Sequence, residues 1–256
     1  MSNDDMYEWY EKLYIDVSKS PTYSKYCEMV FQKDLSQQGF SDIAQIDLML
    51  SNLGINQDSK VLEIGCGTGK TAEYINSKTK AGVFGIDASP TAIGITEGIC
   101  NRSLVFQCID MDHYEAPSES YDAIIAIDSI FFSQDLEKLI SKLTKMLKPN
   151  GILAIYYIEI IFDSITDIKI LLAENTMIGK AFEALGFSYE YFDVTEDTYF
   201  QMKLKRKVVI ELKDNFIQEG NEYLYEYIFR ESIPLEMSLE EFKKRFARYL
   251  FLYKKQ

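Results

Sequence analysis

The stretch Val61–Lys70 reads VLEIGCGTGK and decides how the rest of the chain is interpreted. A mostly aliphatic run comes first, and glycines follow at positions 65, 67 and 69. Glycine permits a tight turn and lets a ligand approach the backbone closely, because it carries no Cβ. A helix is expected after Gly69, and its free N–H groups favour a carboxylate or a phosphate. The stretch therefore predicts a strand, a ligand-binding glycine loop and a helix.

Two common glycine loops do not fit this spacing. The dinucleotide fingerprint G-x-G-x-x-G requires a glycine at position 70, where the chain has Lys70. The phosphate-binding P-loop requires four residues between its first glycine and Gly-Lys-Thr, and only three separate Gly65 from Gly69. The remaining pattern is acid-x-G-x-G-x-G, with Glu63 as the acid.

Strand-like and helix-like segments alternate on both sides of this loop. Continuous apolar runs predict strands at 60–64, 81–86, 104–109, 123–127 and 151–158, with two more at 188–194 and 249–253. Runs of this kind are typical of strands that are covered on both faces of a parallel sheet. The sequence therefore predicts an α/β fold: a doubly wound, mostly parallel seven-stranded sheet with helices on both faces and a helical lid.

The glycine pattern resembles the first motif of the class I S-adenosylmethionine-dependent methyltransferases, which have a Rossmann-like fold. The resemblance continues in order along the chain. Asp87 follows the second strand, 22 residues beyond Gly65, and Asp128 follows the fourth. The turn Leu147–Leu153 into the fifth strand is also similar to the family's. The resemblance covers roughly residues 56–160 and the terminal strand.

The resemblance implies S-adenosylmethionine as the cofactor. The core residues that it assigns to the cofactor are Glu63, Gly65, Cys66, Gly67, Asp87, Ala88, Asp110, Met111 and Asp128. A carboxylate at Asp87 would accept both ribose hydroxyls, and an acid at Asp110 would accept from the adenine amino group. Gln38 lies in 36–40, a segment similar to one that folds over the cofactor in small-molecule methyltransferases; the alternative is an ordinary loop.

No catalytic residue can be named from the sequence. Methyl transfer is a direct displacement, and a neutral amine or a thiolate needs no base, whereas a hydroxyl usually does. His113, the one histidine, is either a base or a surface residue. Phe131 follows the fourth predicted strand and Tyr157 lies at the end of the fifth, at the edge where open α/β sheets bind ligands. Both are therefore predicted to contact the substrate. We expect a small-molecule acceptor that is methylated on nitrogen or oxygen.

Aromatic residues are frequent outside the predicted core, since the chain has 18 Tyr and 16 Phe. Their rings either line a pocket that attracts a sulfonium or a cationic amine, or simply pack the cap helices. Those in question are Tyr7, Trp9, Tyr10, Tyr14, Tyr23, Tyr26, Tyr199, Phe200, Tyr223, Tyr225, Tyr227 and Phe229.

Composition narrows the range of partners. The 256 residues include 27 Lys and Arg against 40 Asp and Glu, a net charge of −13, which disfavours nucleic acid and anionic membranes. Two basic clusters, 203–207 and 243–248, are interpreted as solvated helix faces. The four cysteines have no CxxC spacing, so no metal site is expected. Their number is typical of reduced thiols in a cytoplasmic protein. The oligomeric state cannot be predicted.

The predicted organisation has four parts. Residues 1–55 form an N-terminal helical cap segment, 56–194 the cofactor-binding core, 195–245 a helical lid insertion, and 246–256 a terminal strand that completes the core sheet. A helix is also predicted over 238–248, at the end of the insertion. Two functions remain as alternatives: a protein that binds S-adenosylmethionine without catalysis, and a methyltransferase acting on RNA or protein. The second would be expected to carry an N-P-P-[YF]-like motif after the fourth strand, where this chain has Asp128-Ser129-Ile130-Phe131.

Overall fold

A computed structural model describes residues 3–162, 166–232 and 236–256. The strands of this part are β1 (Lys60–Ile64), β2 (Gly82–Asp87), β3 (Leu104–Cys108), β4 (Tyr121–Ile127), β5 (Leu147–Ile160), β6 (Glu190–Asp193) and β7 (Phe246–Lys254). Its α-helices are α1 (Asn3–Lys19), α2 (Pro21–Phe31), α3 (Ile43–Leu53), α4 (Lys70–Thr79), α5 (Pro90–Thr96), α6 (Leu136–Met146), α7 (Met177–Ala184), α8 (Thr195–Glu211), α9 (Lys213–Gln218), α10 (Glu222–Glu231) and α11 (Leu239–Phe242).

The strands form one sheet in the order β3-β2-β1-β4-β5-β7-β6 across the described residues. The first five strands are parallel, and β7 runs antiparallel to both of its neighbours. The strand order reverses between β1 and β4, which is where open α/β sheets bind ligands. The predicted doubly wound, mostly parallel seven-stranded sheet is confirmed.

Both faces of the sheet are covered, which explains the continuous apolar runs. Leu62 and neighbouring strand residues pack with α6 and α7 on one face. Val61 and other strand residues that point the same way pack with α3 and α4 on the other face of the sheet. Successive side chains point to opposite faces, so a strand buried on both sides must be apolar at every position.

The N-terminal helices and the insertion pack together although they are far apart in sequence. Leu13 of α1 and Phe31 of α2 share a buried cluster with Val209 of α8 and Phe216 of α9. The Glu219 carboxylate, just after α9, accepts a hydrogen bond from the Thr22 backbone N–H at 2.9 Å. These two segments therefore form one helical layer with its own apolar core.

Two sequence-based interpretations are wrong here. The helix expected over 238–248 is the single turn α11, and β7 begins already at Phe246. Two members of the supposedly solvated basic clusters are buried: Lys205 is 2% exposed and Arg248 is 0% exposed. Arg248 belongs to β7, between β5 and β6, and a buried charge is tolerated there only with partners. No helix of the described residues is both long and apolar enough to cross a bilayer.

Candidate functional site

A cavity of about 690 Å³ opens at the carboxyl ends of the central strands. The glycine loop after β1, Asp87 at the end of β2 and Asp128 after β4 all line it. The helical layer closes it from above with residues of α1 and α10. Its volume lies within the range of about 300–1,000 Å³ that is typical of small-molecule sites.

The glycine loop turns sharply around the cavity. Gly65, Gly67 and Gly69 have φ values of +72°, +52° and +76°, in the left-handed region that other residues rarely adopt. The backbone N–H groups of Gly65 and Cys66 both donate to the Ile86 carbonyl, at 2.8 and 2.9 Å. Burial raises the pKa of the Cys66 thiol, so this residue is a neutral part of the wall rather than a nucleophile.

Asp87 is held in place with acceptor capacity to spare. Its Oδ2 accepts from the Gly67 N–H at 2.8 Å, and its Oδ1 accepts from the Ser89 N–H at 2.9 Å. Burial raises the pKa of this carboxyl, and the two backbone donors oppose that effect. A carboxylate has about four lone-pair sites. Two remain for hydroxyl donors of a ligand.

Glu63 is a buried carboxyl that faces the cavity. It is 3% exposed, and its Oε2 has no hydrogen-bond partner among the described residues. Burial, together with the charge of Asp87, raises the pKa of Glu63 to about 8. A buried polar atom in this position is satisfied when a ligand supplies a donor or a positive charge.

The pKa of Glu63 predicts how stability changes with pH. A carboxyl whose pKa is raised on folding stabilises the protein below its unfolded value of 4.5, and this stabilisation is lost as the pH rises through about 8. Glu63→Gln removes the titration. We therefore expect the ligand-free wild type and the variant to melt at similar temperatures at pH 5, and the wild type to melt lower by roughly 5–10 °C at pH 8.5. Parallel pH profiles in thermal unfolding would contradict this assignment.

The segment 37–41 folds over the cavity and is tied down by a buried ion pair. Both amide atoms of Gln38 lack partners in the described part of the chain, and this side chain lines the cavity. The Phe40 N–H donates to Asp128 Oδ2 at 2.9 Å. A Cβ at Gly39 would lie 2.5 Å from that oxygen, so only glycine permits the approach. The segment is therefore a built cover for the cavity.

Arg248 is the residue that holds this cover. Its Nη2 donates to both carboxylate oxygens of Asp128, at 2.9 and 2.8 Å. It also donates to Ser41 Oγ at 2.7 Å and to Gln45 Oε1 at 2.6 Å. Asp128 lines the cavity, but its charge is paired with Arg248. The sequence-based reasoning missed this role because Arg248 was assigned to a solvated face.

The remaining predicted site residues separate into those in the cavity and those outside it. The predicted site residues that line the cavity are Gln38, Glu63, Gly65, Cys66, Gly67, Asp87, Ala88, Asp110, Met111, Asp128 and Phe131. Tyr157 does not line it. It is 5% exposed, it packs on the face of the sheet that carries α6 and α7, and its hydroxyl donates to Glu159 at 3.4 Å. Alternation along β5 turns the Tyr157 side chain away from the cavity, and Ile158 lines the cavity instead.

His113 is a surface residue rather than a base in the cavity. Its side chain is 77% exposed and its Nδ1 lies 3.6 Å from Asp110 Oδ1. It is not among the residues that line the cavity. The alternative that the sequence left open, a surface histidine, is the one found.

Three of the aromatic residues outside the core reach the cavity: Tyr10 and Tyr14 on α1, and Tyr227 on α10. Others, such as Tyr23 and Tyr26, pack inside the helical layer. The side chain of Tyr7 lies outside the described part. Some of these rings therefore line the cavity, and others pack the helices.

Two acidic residues of the cavity were not predicted at all. Glu11 on α1 accepts from the Thr91 N–H at 3.3 Å, and its second oxygen has no partner within the described ranges. Glu231, the last residue of α10, accepts from the Tyr227 hydroxyl at 2.6 Å. Their sequence surroundings are rich in charge, so no pattern separates them from surface acids.

The sequence of the core matches a known protein family. Residues 62–155 match the family described as a methyltransferase domain. A segment of 111 residues is 35% identical to a phosphoethanolamine N-methyltransferase of Plasmodium falciparum and covers 42% of each chain. Another 111-residue segment is 33% identical to a sterol 24-C-methyltransferase of Gibberella zeae and covers 41% of this chain and 29% of that protein. The matched segments therefore span less than half the length of each of these curated relatives.

Residues 62–155 form a methyltransferase domain. Solved structures extend the likeness of the fold beyond this domain. A phosphoethanolamine N-methyltransferase of Haemonchus contortus, in complex with phosphomonomethylethanolamine and S-adenosylhomocysteine, aligns with a TM-score of 0.75 at 17% identity, over 94% of this chain and 59% of that chain. The [4+2]-cyclase SpnF aligns with a TM-score of 0.70 at 17% identity, over 97% and 96% of the two chains. The methyltransferase domain and its helical layer thus share the class I S-adenosylmethionine-dependent methyltransferase fold.

Proposed function

We propose that this protein transfers a methyl group from S-adenosylmethionine to nitrogen or oxygen of a small-molecule acceptor. The observation that carries the proposal is the convergence of the glycine loop, Asp87 and the unpartnered polar atoms of Glu63 and Gln38 on one cavity. Residues 62–155 match a methyltransferase domain, which supports the same conclusion. The cytoplasmic location stays a sequence-based prediction.

The residues present fit this cofactor. The spare lone pairs of Asp87 suit the two ribose hydroxyls, and the backbone around Gly67 leaves room beside them. Glu63 Oε2 suits a positively charged group, either the ammonium or the sulfonium. Asp110 and Met111, which line the cavity after β3, suit the amino group and the face of the adenine ring. Gln38 can hydrogen-bond with the carboxylate or the ammonium of the methionine part.

The cofactor, when bound, supplies a methyl group already activated by the positive sulfur. The protein then has to hold the acceptor atom in line with the methyl group and exclude water, which is worth up to about 7–11 kcal/mol in favourable cases. The cover formed by 37–41 and the helical layer suits this task. A cavity of about 690 Å³ favours a small acceptor over RNA or protein.

The first experiment is a thermal-shift comparison of S-adenosylhomocysteine, NAD and ATP on the purified protein. A ligand at a hundred times its Kd adds about 2.7 kcal/mol, which is roughly 5–10 °C for a chain of this size. We expect a shift with S-adenosylhomocysteine alone. A larger shift with NAD or ATP would overturn the proposal. Binding without formation of S-adenosylhomocysteine across a broad acceptor panel would favour the non-catalytic alternative.

Asp87→Ala is expected to weaken S-adenosylhomocysteine binding at least tenfold. The substitution removes both ribose acceptors and leaves the N–H groups of Gly67 and Ser89 without their partner. Charged hydrogen bonds of this kind are worth about 1.5–3 kcal/mol. Calorimetric titration measures the change, and Asp214→Ala, on the exposed face of α9, is the matched control. Equal affinity in the two variants would remove Asp87 from the cofactor site.

A further inference from the structure

The cavity is lined by negative charge. Six acidic side chains line it: Glu11, Glu63, Asp87, Asp110, Asp128 and Glu231. Glu63, with its pKa raised to about 8, is largely protonated near pH 7, and the other five are counted as carboxylates. No lysine, arginine or histidine in the described ranges lines it, and the residues outside those ranges include none of these types. A phosphate or carboxylate on the acceptor would therefore lose its hydration without gaining a cation to pair with.

Two buried cations lie behind this wall, and both are already paired. Arg248 is committed to Asp128. The Lys205 ammonium lies 3.5 Å from Glu231 Oε2 and donates to the Gly39 carbonyl at 3.2 Å. The cofactor itself brings a sulfonium and an ammonium against one carboxylate, which is a single net positive charge. Even with these counted, negative charge remains in excess in the cavity, so the field there favours a cationic acceptor.

The part of the cavity formed by the helical layer carries a carboxylate among aromatic rings. The Tyr10 and Phe132 rings meet edge to face, with centroids 5.8 Å apart. The Trp9 ring packs on Tyr227 at 4.7 Å, which fixes the hydroxyl that donates to Glu231. Glu231 keeps acceptor sites beyond those used by Tyr227 and Lys205. Ring faces next to a carboxylate are the arrangement that attracts an ammonium group.

Tyr10 adds a hydrogen-bond donor to this wall. Burial, together with the negative charges of Glu231 and Asp87, raises the pKa of Tyr10 to about 12. Its hydroxyl therefore stays protonated and lies within the field of both carboxylates. This residue connects the ribose side of the cavity, at Asp87, with the side that carries Glu231.

We propose that the acceptor is a small amine that binds as its ammonium form against Glu231 and the rings of Tyr10, Tyr227 and Phe132, and that it carries neither phosphate nor carboxylate. This inference rests on the proposed function and names its substrate class. It also separates this protein from the relatives named for phosphoethanolamine, whose acceptor bears a phosphate.

The bound ammonium must lose one proton before it can react. The Glu231 carboxylate is the acceptor for that proton and passes it to solvent. The nitrogen lone pair then forms the new N–C bond with the methyl carbon while the C–S bond breaks and its electron pair stays on sulfur. The products are the N-methylated amine in its ammonium form and neutral-sulfur S-adenosylhomocysteine, so atoms and charges balance.

The test uses matched probes on the wild-type protein saturated with S-adenosylhomocysteine. Phenethylamine is compared with 2-phenylethanol and phenylalanine, and ethanolamine with phosphoethanolamine, by calorimetric binding at constant ionic strength. A set of simple secondary amines and diamines completes the panel. We expect amines to bind at least tenfold more tightly than their hydroxyl, carboxylate or phosphate counterparts. Tighter binding of phosphoethanolamine than of ethanolamine, or no binding of any amine, would overturn the proposal.

Glu231→Gln tests whether the Glu231 carboxylate binds the ammonium group. It keeps an acceptor for the Tyr227 hydroxyl but removes the charge, so we expect the Kd and the KM of the best amine to rise roughly ten- to a hundredfold. The Kd of S-adenosylhomocysteine should stay within about twofold, since Glu231 is assigned to the acceptor. Glu226→Gln is the control, because Glu226 is on the same helix, is exposed and pairs with Arg230. Unchanged amine affinity in Glu231→Gln contradicts the proposal.

A second variant separates binding from folding. Glu231→Gln leaves Lys205 buried with one partner fewer, and Lys205→Met combined with Glu231→Gln removes that charge as well. Amine affinity should fall by the same roughly ten- to a hundredfold in both variants, even where the double variant recovers the melting temperature. The proposed function and this inference fail separately. If the wild type does not bind S-adenosylhomocysteine, the proposed function is contradicted. If it binds S-adenosylhomocysteine but no amine, only the amine proposal is contradicted.

Discussion

Replacing Arg248 with alanine is expected to destabilise the protein by about 3–5 kcal/mol, which corresponds to a fall in Tm of roughly 10 °C or more. The guanidinium is completely buried. It pairs with Asp128, whose side chain is 5% exposed. Removing the cation leaves that carboxylate almost buried, with the Phe40 N–H as its remaining donor among the described residues. Ser41 Oγ and Gln45 Oε1 lose their donor as well. Chemical denaturation of the ligand-free protein measures the effect.

Two further variants show whether the ion pair is the cause. Arg245→Ala removes an exposed arginine three residues earlier, and we expect it to change stability by less than about 0.5 kcal/mol. Asp128→Asn in the Arg248→Ala background removes the unpaired charge and should restore part of the loss, because residues in contact are not additive. A loss below about 1 kcal/mol for Arg248→Ala would mean that water or another group replaces the guanidinium.

The central strands could be predicted from the sequence because their environment is uniform. A strand covered on both faces is apolar at each position, and glycine or a turn marks its end. The limits of β1 agree residue for residue with the prediction for 60–64. The start of β7 was predicted three residues too late, because Arg248 interrupts the apolar run. Its burial depends on Asp128, 120 residues earlier, and local sequence contains no trace of such a partner.

The candidate site was predicted as far as its residues belong to turns after strands. Asp87 and Asp110 stand at positions fixed by the order of βα units, so spacing alone brings them to one edge of the sheet. The sequence could not show that the Tyr157 side chain lies on the face away from the cavity, because a doubly covered strand gives no sign of which face each residue occupies. The acidic and aromatic wall from α1 and α10 could not be predicted, since it arises from tertiary packing between the chain's first and last helical segments.

Gly65→Ala is expected to abolish measurable binding of S-adenosylhomocysteine and to destabilise the protein by about 2–5 kcal/mol. At φ +72° an alanine meets backbone strain, and its Cβ would lie 2.5 Å from the Ser129 Cβ and 2.9 Å from its Oγ. Ser129 cannot turn away freely, because it is buried and its Oγ donates to the Ile64 carbonyl at 2.6 Å. The loop itself is pinned by the bond from the Gly65 N–H to the Ile86 carbonyl. The glycine loop must therefore shift.

Gly54→Ala separates the clash from the strain, because Gly54 has a similar φ of +62° with no atom within 4 Å of its added Cβ. We expect that variant to lose about 1–2 kcal/mol and to bind S-adenosylhomocysteine as the wild type does. Ser129→Gly combined with Gly65→Ala removes the obstructing atoms and should recover part of the stability. If Gly65→Ala and Gly54→Ala lose the same free energy of unfolding, the contact between Gly65 and Ser129 does not constrain the loop. Only the strain at positive φ would then explain why glycine stands at position 65.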